Sequence, residues 1–114
     1  MNDSTADAAQ LDRSFLALSH PIRRGIVERL TDGPATVGAA TRDFPVSKPA
    51  ITRHLKVLEE ARLVERSIHG RTHRLTLAEH PLAEALAWMA RQEALWERKF
   101  DVVERYLDER GAGR

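Results

Sequence analysis

Residues 47–61 read SKPAITRHLKVLEEA, and this stretch decides the fold because it has two different faces at helical spacing. Ile51, Leu55 and Leu58 stand four and three apart, supported by Ala50, Val57 and Ala61, and can point into a core. Lys48, Thr52 and Lys56, four apart, form the opposite stripe, with Ser47, Pro49 and Arg53 beside its start. Ser47 has the chemistry of an N-cap, and a proline is tolerated in a first turn, whose amides lack partners anyway.

Upstream, Thr36 can cap a short helix through Arg42 whose apolar side is Val37 and Ala40, and Phe44-Pro45 ends it. A short helix, a turn and a longer helix give the outline of a helix-turn-helix. Before it, Ile22, Ile26 with Val27, and Leu30 mark a helix closed by Asp32-Gly33-Pro34, with Ser19 as its expected N-cap. Leu11, Phe15 and Leu18 mark one face of a first helix, and residues 1–10 read as a mobile tail. Downstream, the alternation Val64, Arg66, Ile68 and the run from Thr72 to Leu77 flank His69-Gly70-Arg71, a hairpin with a glycine turn. Beside a helix-turn-helix, such a hairpin is a wing. A long helix follows from Pro81 to about Arg110, roughly 40 Å at 1.5 Å per residue, and residues 111–114 read as a frayed end. The expected fold is mainly α with a small β-hairpin: a winged helix-turn-helix of five helices plus wing over residues 11–110.

A chain of 114 residues holds one such domain. No apolar run approaches the roughly 18–20 residues that cross a bilayer, and the N-terminus has neither a basic start nor an apolar stretch. With no cysteine, disulfides and thiolate metal ligands are excluded, and a cytoplasmic location without membrane contact is expected. The net charge of +1 hides a segregation. From Arg42 to Arg74 eight basic residues face four acidic ones, whereas from Glu79 to Arg110 five basic residues face eight acidic ones. A polyanion is drawn to the middle of this chain and repelled by its last third.

The major groove of DNA accepts one α-helix, read from its N-terminal half, which is where the polar residues of the 47–61 helix gather. Lys48, Arg53 and Lys56 can neutralise phosphates or donate to guanine, and Ser47 and Thr52 can donate to a base edge or phosphate. The wing adds His69, Gly70, Arg71 and Arg74, and arginine is favoured by the negative potential of a narrow minor groove. Gly70 supplies a positive φ for the turn. A solvated basic face is the plainer explanation for such residues. Here the face follows a turn, precedes a basic hairpin and sits in the electropositive third of the chain, which favours contact with double-stranded DNA.

The segments LSHPIRRGIVERL, SKPAITRHLKVLEEARLVERSIHGRTHRLTL and PLAEALAWMARQEALWERKFDVVERYL resemble the ArsR (arsenical-resistance repressor) family of bacterial winged-helix regulators, over about residues 11–109. The resemblance implies a DNA-binding repressor that acts as a dimer and is released by a ligand whose identity is not legible. It implies that Ser47, Lys48, Thr52, Arg53 and Lys56 belong to the recognition helix, and that His69, Gly70 and Arg71 belong to the wing. The chain departs from the family in Ala40, where a leucine is usual, in Pro45 within the turn, and in Arg62, which replaces the glycine after the recognition helix. That last helix end is expected to close without an easy left-handed residue.

Dimerisation is expected on separate grounds. In the last helix Leu82, Leu86, Met89, Trp96, Phe100, Val103 and Leu107 follow a heptad rhythm, and Trp88, Leu95 and Val102 add a second row. So wide an apolar stripe exceeds what one small domain covers. Helices 11–18 and 82–109 are the expected homodimer interface, through Leu11, Phe15, Leu18, Leu86, Met89, Trp96, Phe100 and Val103. Two-fold pairing sets two recognition helices about 34 Å apart and predicts an inverted-repeat operator.

No catalytic residue, cofactor or metal site is expected: the chain has no Gly-rich phosphate loop, nucleophile elbow or HExxH. Two other readings stay open. One is a sensor binding an ion through His69, His73 and His80 across a dimer, with His69 and His73 sharing a strand face; the other is a protein-interaction module without DNA binding.

Overall fold

The computed structural model describes the backbone of residues 3–112 and the side chains of residues 7–111. Its elements run α1 (Asp3–Ala17), α2 (Pro21–Leu30), β1 (Ala35–Thr36), α3 (Val37–Thr41), α4 (Lys48–Glu60), β2 (Val64–His69), β3 (Thr72–Leu77) and α5 (Glu79–Ala112). Five helices and a winged helix-turn-helix are present as the periodicity predicts. The sheet has three antiparallel strands in the order β1-β3-β2, because Ala35 and Thr36 pair with Leu75 and Arg74. Two residues are too few to show an alternation, so β1 left no pattern in the sequence.

Three caps fix where the helices begin. Ser47 and Thr36 accept through their hydroxyl oxygens from the amides of Ala50 (3.3 Å) and Ala39 (3.1 Å). For α2 the cap is His20 rather than Ser19: Nδ1 of His20 accepts from the Ile22 amide at 3.1 Å. The Ser19 hydroxyl instead turns back to donate to the Leu16 carbonyl at 2.6 Å, closing α1. The expected tail is corrected over residues 3–10, since α1 is helical from Asp3, while residues 1–2 lie outside the described residues. Residues 3–10 have no apolar rhythm, yet their alanines are strong helix formers. Gln10 of this segment donates to the Ala61 carbonyl at 2.8 Å, tying α1 to the end of α4. At the other terminus α5 runs on to Ala112, and the rest of the expected frayed end lies outside the described residues.

The core is where α2, α4 and the roots of the strands meet. Ile26, Leu58, Leu63, Val64 and Leu75 are its largest fully buried side chains, joined by Ile22, Leu30, Leu55, Ala40 and Ala61. Burying a side chain of this kind stabilises the fold by about 1.5–3 kcal/mol relative to exposure. The end of α4 closes in a Schellman motif: the Leu63 amide donates to the Leu58 carbonyl and the Arg62 amide to the Glu59 carbonyl, with Leu63 packed in the same buried cluster as Leu58. Arg62 adopts φ 63°, so the left-handed position exists here without its glycine, contrary to the expectation that the helix would close some other way.

Candidate nucleic-acid interface

The outer edge of α4 is exposed. Lys48, Pro49, Thr52, Arg53 and Lys56 are exposed together with the capping Ser47, while Leu55 and Leu58 behind them are buried. The Thr52 hydroxyl donates to the Lys48 carbonyl at 3.1 Å. In the free chain this occupies its proton and leaves the oxygen lone pairs to accept. Lys56 lies 3.9 Å from Glu60, an exposed pair of little energetic weight that a phosphate can displace.

The turn before α4 is held from below. Arg29 of α2 donates to the carbonyls of Arg42 and Ala40, and its guanidinium lies 4.0 Å over the Phe44 ring. Gly25 makes room for that ring: a Cβ there would come within 2.7 Å of Phe44. Asp43 completes the turn at φ 65°, a conformation that aspartate tolerates.

At the wing tip Gly70 has φ 64° between the paired residues His69 and Thr72, the glycine-first pattern of a type II′ turn. His69, Gly70, Arg71 and Arg74 are all exposed. Pairing puts Ile68 opposite His73 and His69 opposite Thr72. His69 and His73 therefore occupy opposite faces of the hairpin, not the shared face expected, and they cannot chelate one ion within a chain. His80 is held elsewhere, 2.9 Å from Glu84 on α5. Among the described residues no group of three potential metal ligands converges.

Behind the recognition helix, Arg23 of α2 donates to the carbonyls of Ala17 (2.8 Å) and Leu16 (3.0 Å) at the end of α1 and lies 3.2 Å from Nδ1 of His54 on α4. The rings of His20 and His54 stack at 4.2 Å. Burial, and then the charges of His20, Arg23 and Arg53, hold His54 below its usual pKa of 6.5. The arrangement requires a neutral His54, since a guanidinium only donates and Nδ1 must accept.

Comparisons with known proteins bear on this geometry. The transcriptional repressor SdpR of Bacillus subtilis is 32% identical over 79 residues, which is 69% of this chain and 88% of SdpR. The crystal structure of the ArsR family transcriptional regulator RHA00566 superposes with a TM-score of 0.72 at 33% identity, covering 79% of this chain and 93% of that one. The chain belongs to the ArsR family. Residues 18–67 of this ArsR-family regulator match the helix-turn-helix domain family HTH_20. The HTH-type transcriptional regulator Rv2034 of Mycobacterium tuberculosis is 58% identical over 53 residues, 46% of this chain, and that match spans only half of Rv2034. Relatives and fold alike are those of transcription regulators rather than enzymes. No described helix of the regulator is long and apolar enough to cross a membrane.

The expected dimer residues of this ArsR-family chain divide into two groups. Leu86, Met89, Trp96, Phe100 and Val103 are exposed on α5, Leu86 by 64% and Trp96 and Phe100 by 59% each. Trp96 and Phe100 stack edge to face at 5.8 Å. Leu11 and Phe15 are half-buried against α5, with Phe15 edge-on to Trp88 at 5.7 Å. Leu18 falls just past the end of α1 and is half-buried against the chain's own core. Leu16, which the sequence reading passed over, is exposed near the end of α1. The same reading missed Arg23, Arg29 and Arg66 as supports of α4, the turn before it and the wing; the one signal was Arg66 standing on the strand face that carries Val64.

Proposed function

We propose that this ArsR-family regulator is a repressor that binds an inverted-repeat operator in double-stranded DNA as a homodimer, without thiolate metal sensing. The observation that carries the reading is the cationic edge of α4, which faces away from the body of the chain while its leucines are buried. In this reading the N-terminal half of α4 enters a major groove. Lys48, Arg53 and Lys56 meet phosphates or guanine edges, the exposed Thr52 meets a base edge or phosphate, and Ser47 and Pro49 approach the backbone. Arg71 at the wing tip, with His69, Gly70 and Arg74, meets the flanking backbone or minor groove. The resemblance to SdpR, itself named a repressor, supports the direction of regulation. The uncovered face of α5 supports pairing of two copies through α1 and α5.

Footprinting of the region upstream of its own coding sequence, with sedimentation of the free protein, tests both halves of the reading. A palindromic footprint with half-sites about one helical turn apart and a dimeric mass are expected. A monomer, or binding that does not distinguish that region from random DNA, overturns it.

A further inference from the structure

Arg66 occupies a position where the alternation of β2 calls for an apolar side chain. Cross-strand partners share a sheet face, and Val64, Arg66 and Ile68 lie opposite Leu77, Leu75 and His73. Val64 and Leu75 of that face are buried in the core. From this position the Arg66 guanidinium reaches two other elements at once. It grips Glu59 in the last turn of α4 with both ends of its fork, Nη2 to Oε1 at 2.6 Å and Nε to Oε2 at 3.4 Å. Its Nη1 lies 3.0 Å from Nδ1 of His73 on β3. The Arg66 and Glu59 side chains keep only 27% and 31% of their exposure, so this pair is far less screened than the open Lys56–Glu60 contact. Arg66 also offsets a carboxylate that stands at the unfavourable, negative end of α4.

We propose that Arg66 is a positioning residue for DNA binding, fixing the wing against the recognition helix so that Arg71 meets the duplex at a set distance from Lys48, Thr52 and Lys56. The inference rests on the DNA-contacting role of the wing given above. Its physical basis is leverage. A six-residue strand is about 20 Å long, so a pivot of roughly 10° at the wing root moves the tip by about 3 Å, the length of a hydrogen bond. The backbone link between α4 and β2 is the short turn at Ala61–Leu63, which a bridge from Glu59 to both strands locks.

The competing role for Arg66 is a direct phosphate contact, and Glu59→Gln separates the two by sign. Removing a negative charge near DNA tightens binding on electrostatic grounds, whereas breaking the brace weakens it. The experiment measures fluorescence anisotropy of a labelled duplex from the region upstream of the chain's own coding sequence. It compares the full chain with Arg66→Met, Arg66→Lys, Glu59→Gln, Arg71→Ala and the double variant Arg66→Met/Arg71→Ala, alongside thermal melts. Glu59→Gln and Arg66→Met are each expected to weaken binding about tenfold, the scale of one charge-assisted contact. Arg66→Lys, which keeps the charge but cannot span Glu59 and His73, falls between wild type and Arg66→Met. The double variant binds no more weakly than the worse single one, because a misplaced wing has already lost Arg71. Tighter binding by Glu59→Gln, or fully additive losses in the double variant, overturns the proposal. If Arg71→Ala alone is silent, the wing reading itself fails and takes the proposal with it, a result distinct from additivity. Should Arg66→Met not fold, Glu59→Gln and Arg66→Lys decide the matter.

Discussion

Helices α4 and α5 are both amphipathic, and their apolar faces have opposite fates. The leucines of α4 lie in the core and leave a cationic edge in water, whereas beyond Gln92 the large side chains of α5 stay exposed: Leu95, Trp96, Phe100, Val102, Val103, Tyr106 and Leu107. The difference follows from length. Helix α5 has 34 residues against 15 in α1, its main packing partner, so α1 can cover only part of α5, and Leu86 and Met89 stay exposed even in the near part. An apolar face that folds the chain and one that joins chains look alike in sequence. They are told apart by whether a second element of the same chain reaches them.

Mutations sharpen that contrast. Leu58→Ala is expected to cost about 2–5 kcal/mol of folding stability in a denaturant titration, at any protein concentration. Trp96→Ala should leave the protomer folded but weaken self-association by about 2 kcal/mol or more, seen by sedimentation equilibrium as a concentration-dependent loss of dimer. Equal effects of the two substitutions on both measurements would erase the distinction. On the polar side of α4, an Arg53 substitution should change base preference, by about 1–3 kcal/mol at one base pair in a competition assay. Lys56→Ala should instead weaken binding to every sequence and flatten the salt dependence by about one unit. Arg62→Gly, which places glycine at a left-handed φ, is expected to stabilise the domain by about 0.5–1 kcal/mol in a thermal melt.

The smallest effect is one of pH. The folded state holds His54 below 6.5 and so resists its protonation. Stability from this group is complete above the unfolded value of about 6.5 and is lost as pH falls through the lowered folded value. A plot of unfolding free energy against pH should therefore slope downward below about 6.5 and be flatter in His54→Gln.

Much of this architecture was legible because it follows from periodicity. Ile51, Leu55 and Leu58 announced α4, the glycine turn announced the wing, and the uncovered α5 face was visible as an excess of large side chains. What escaped depends on pairings that no local rhythm encodes. His20 displaced Ser19 as a cap because its ring nitrogen reaches the Ile22 amide. Strand β1 exists because β3 offers an edge to it, and Arg66 earned its place through Glu59 and His73, residues seven positions away on either side. On the candidate interface, exposure of the α4 edge was foreseeable, but the bond from the Thr52 hydroxyl to the Lys48 carbonyl was not.

Thr36 belongs to two structures at once. Its backbone pairs with Arg74 in the middle strand, and its hydroxyl oxygen caps α3. The first helix of the helix-turn-helix therefore cannot swivel without dragging on the strand that carries the wing. In the proposed complex, a duplex pressing on either part feels the stiffness of both, so the two parts act as a single rigid tool rather than as two fingers that close independently.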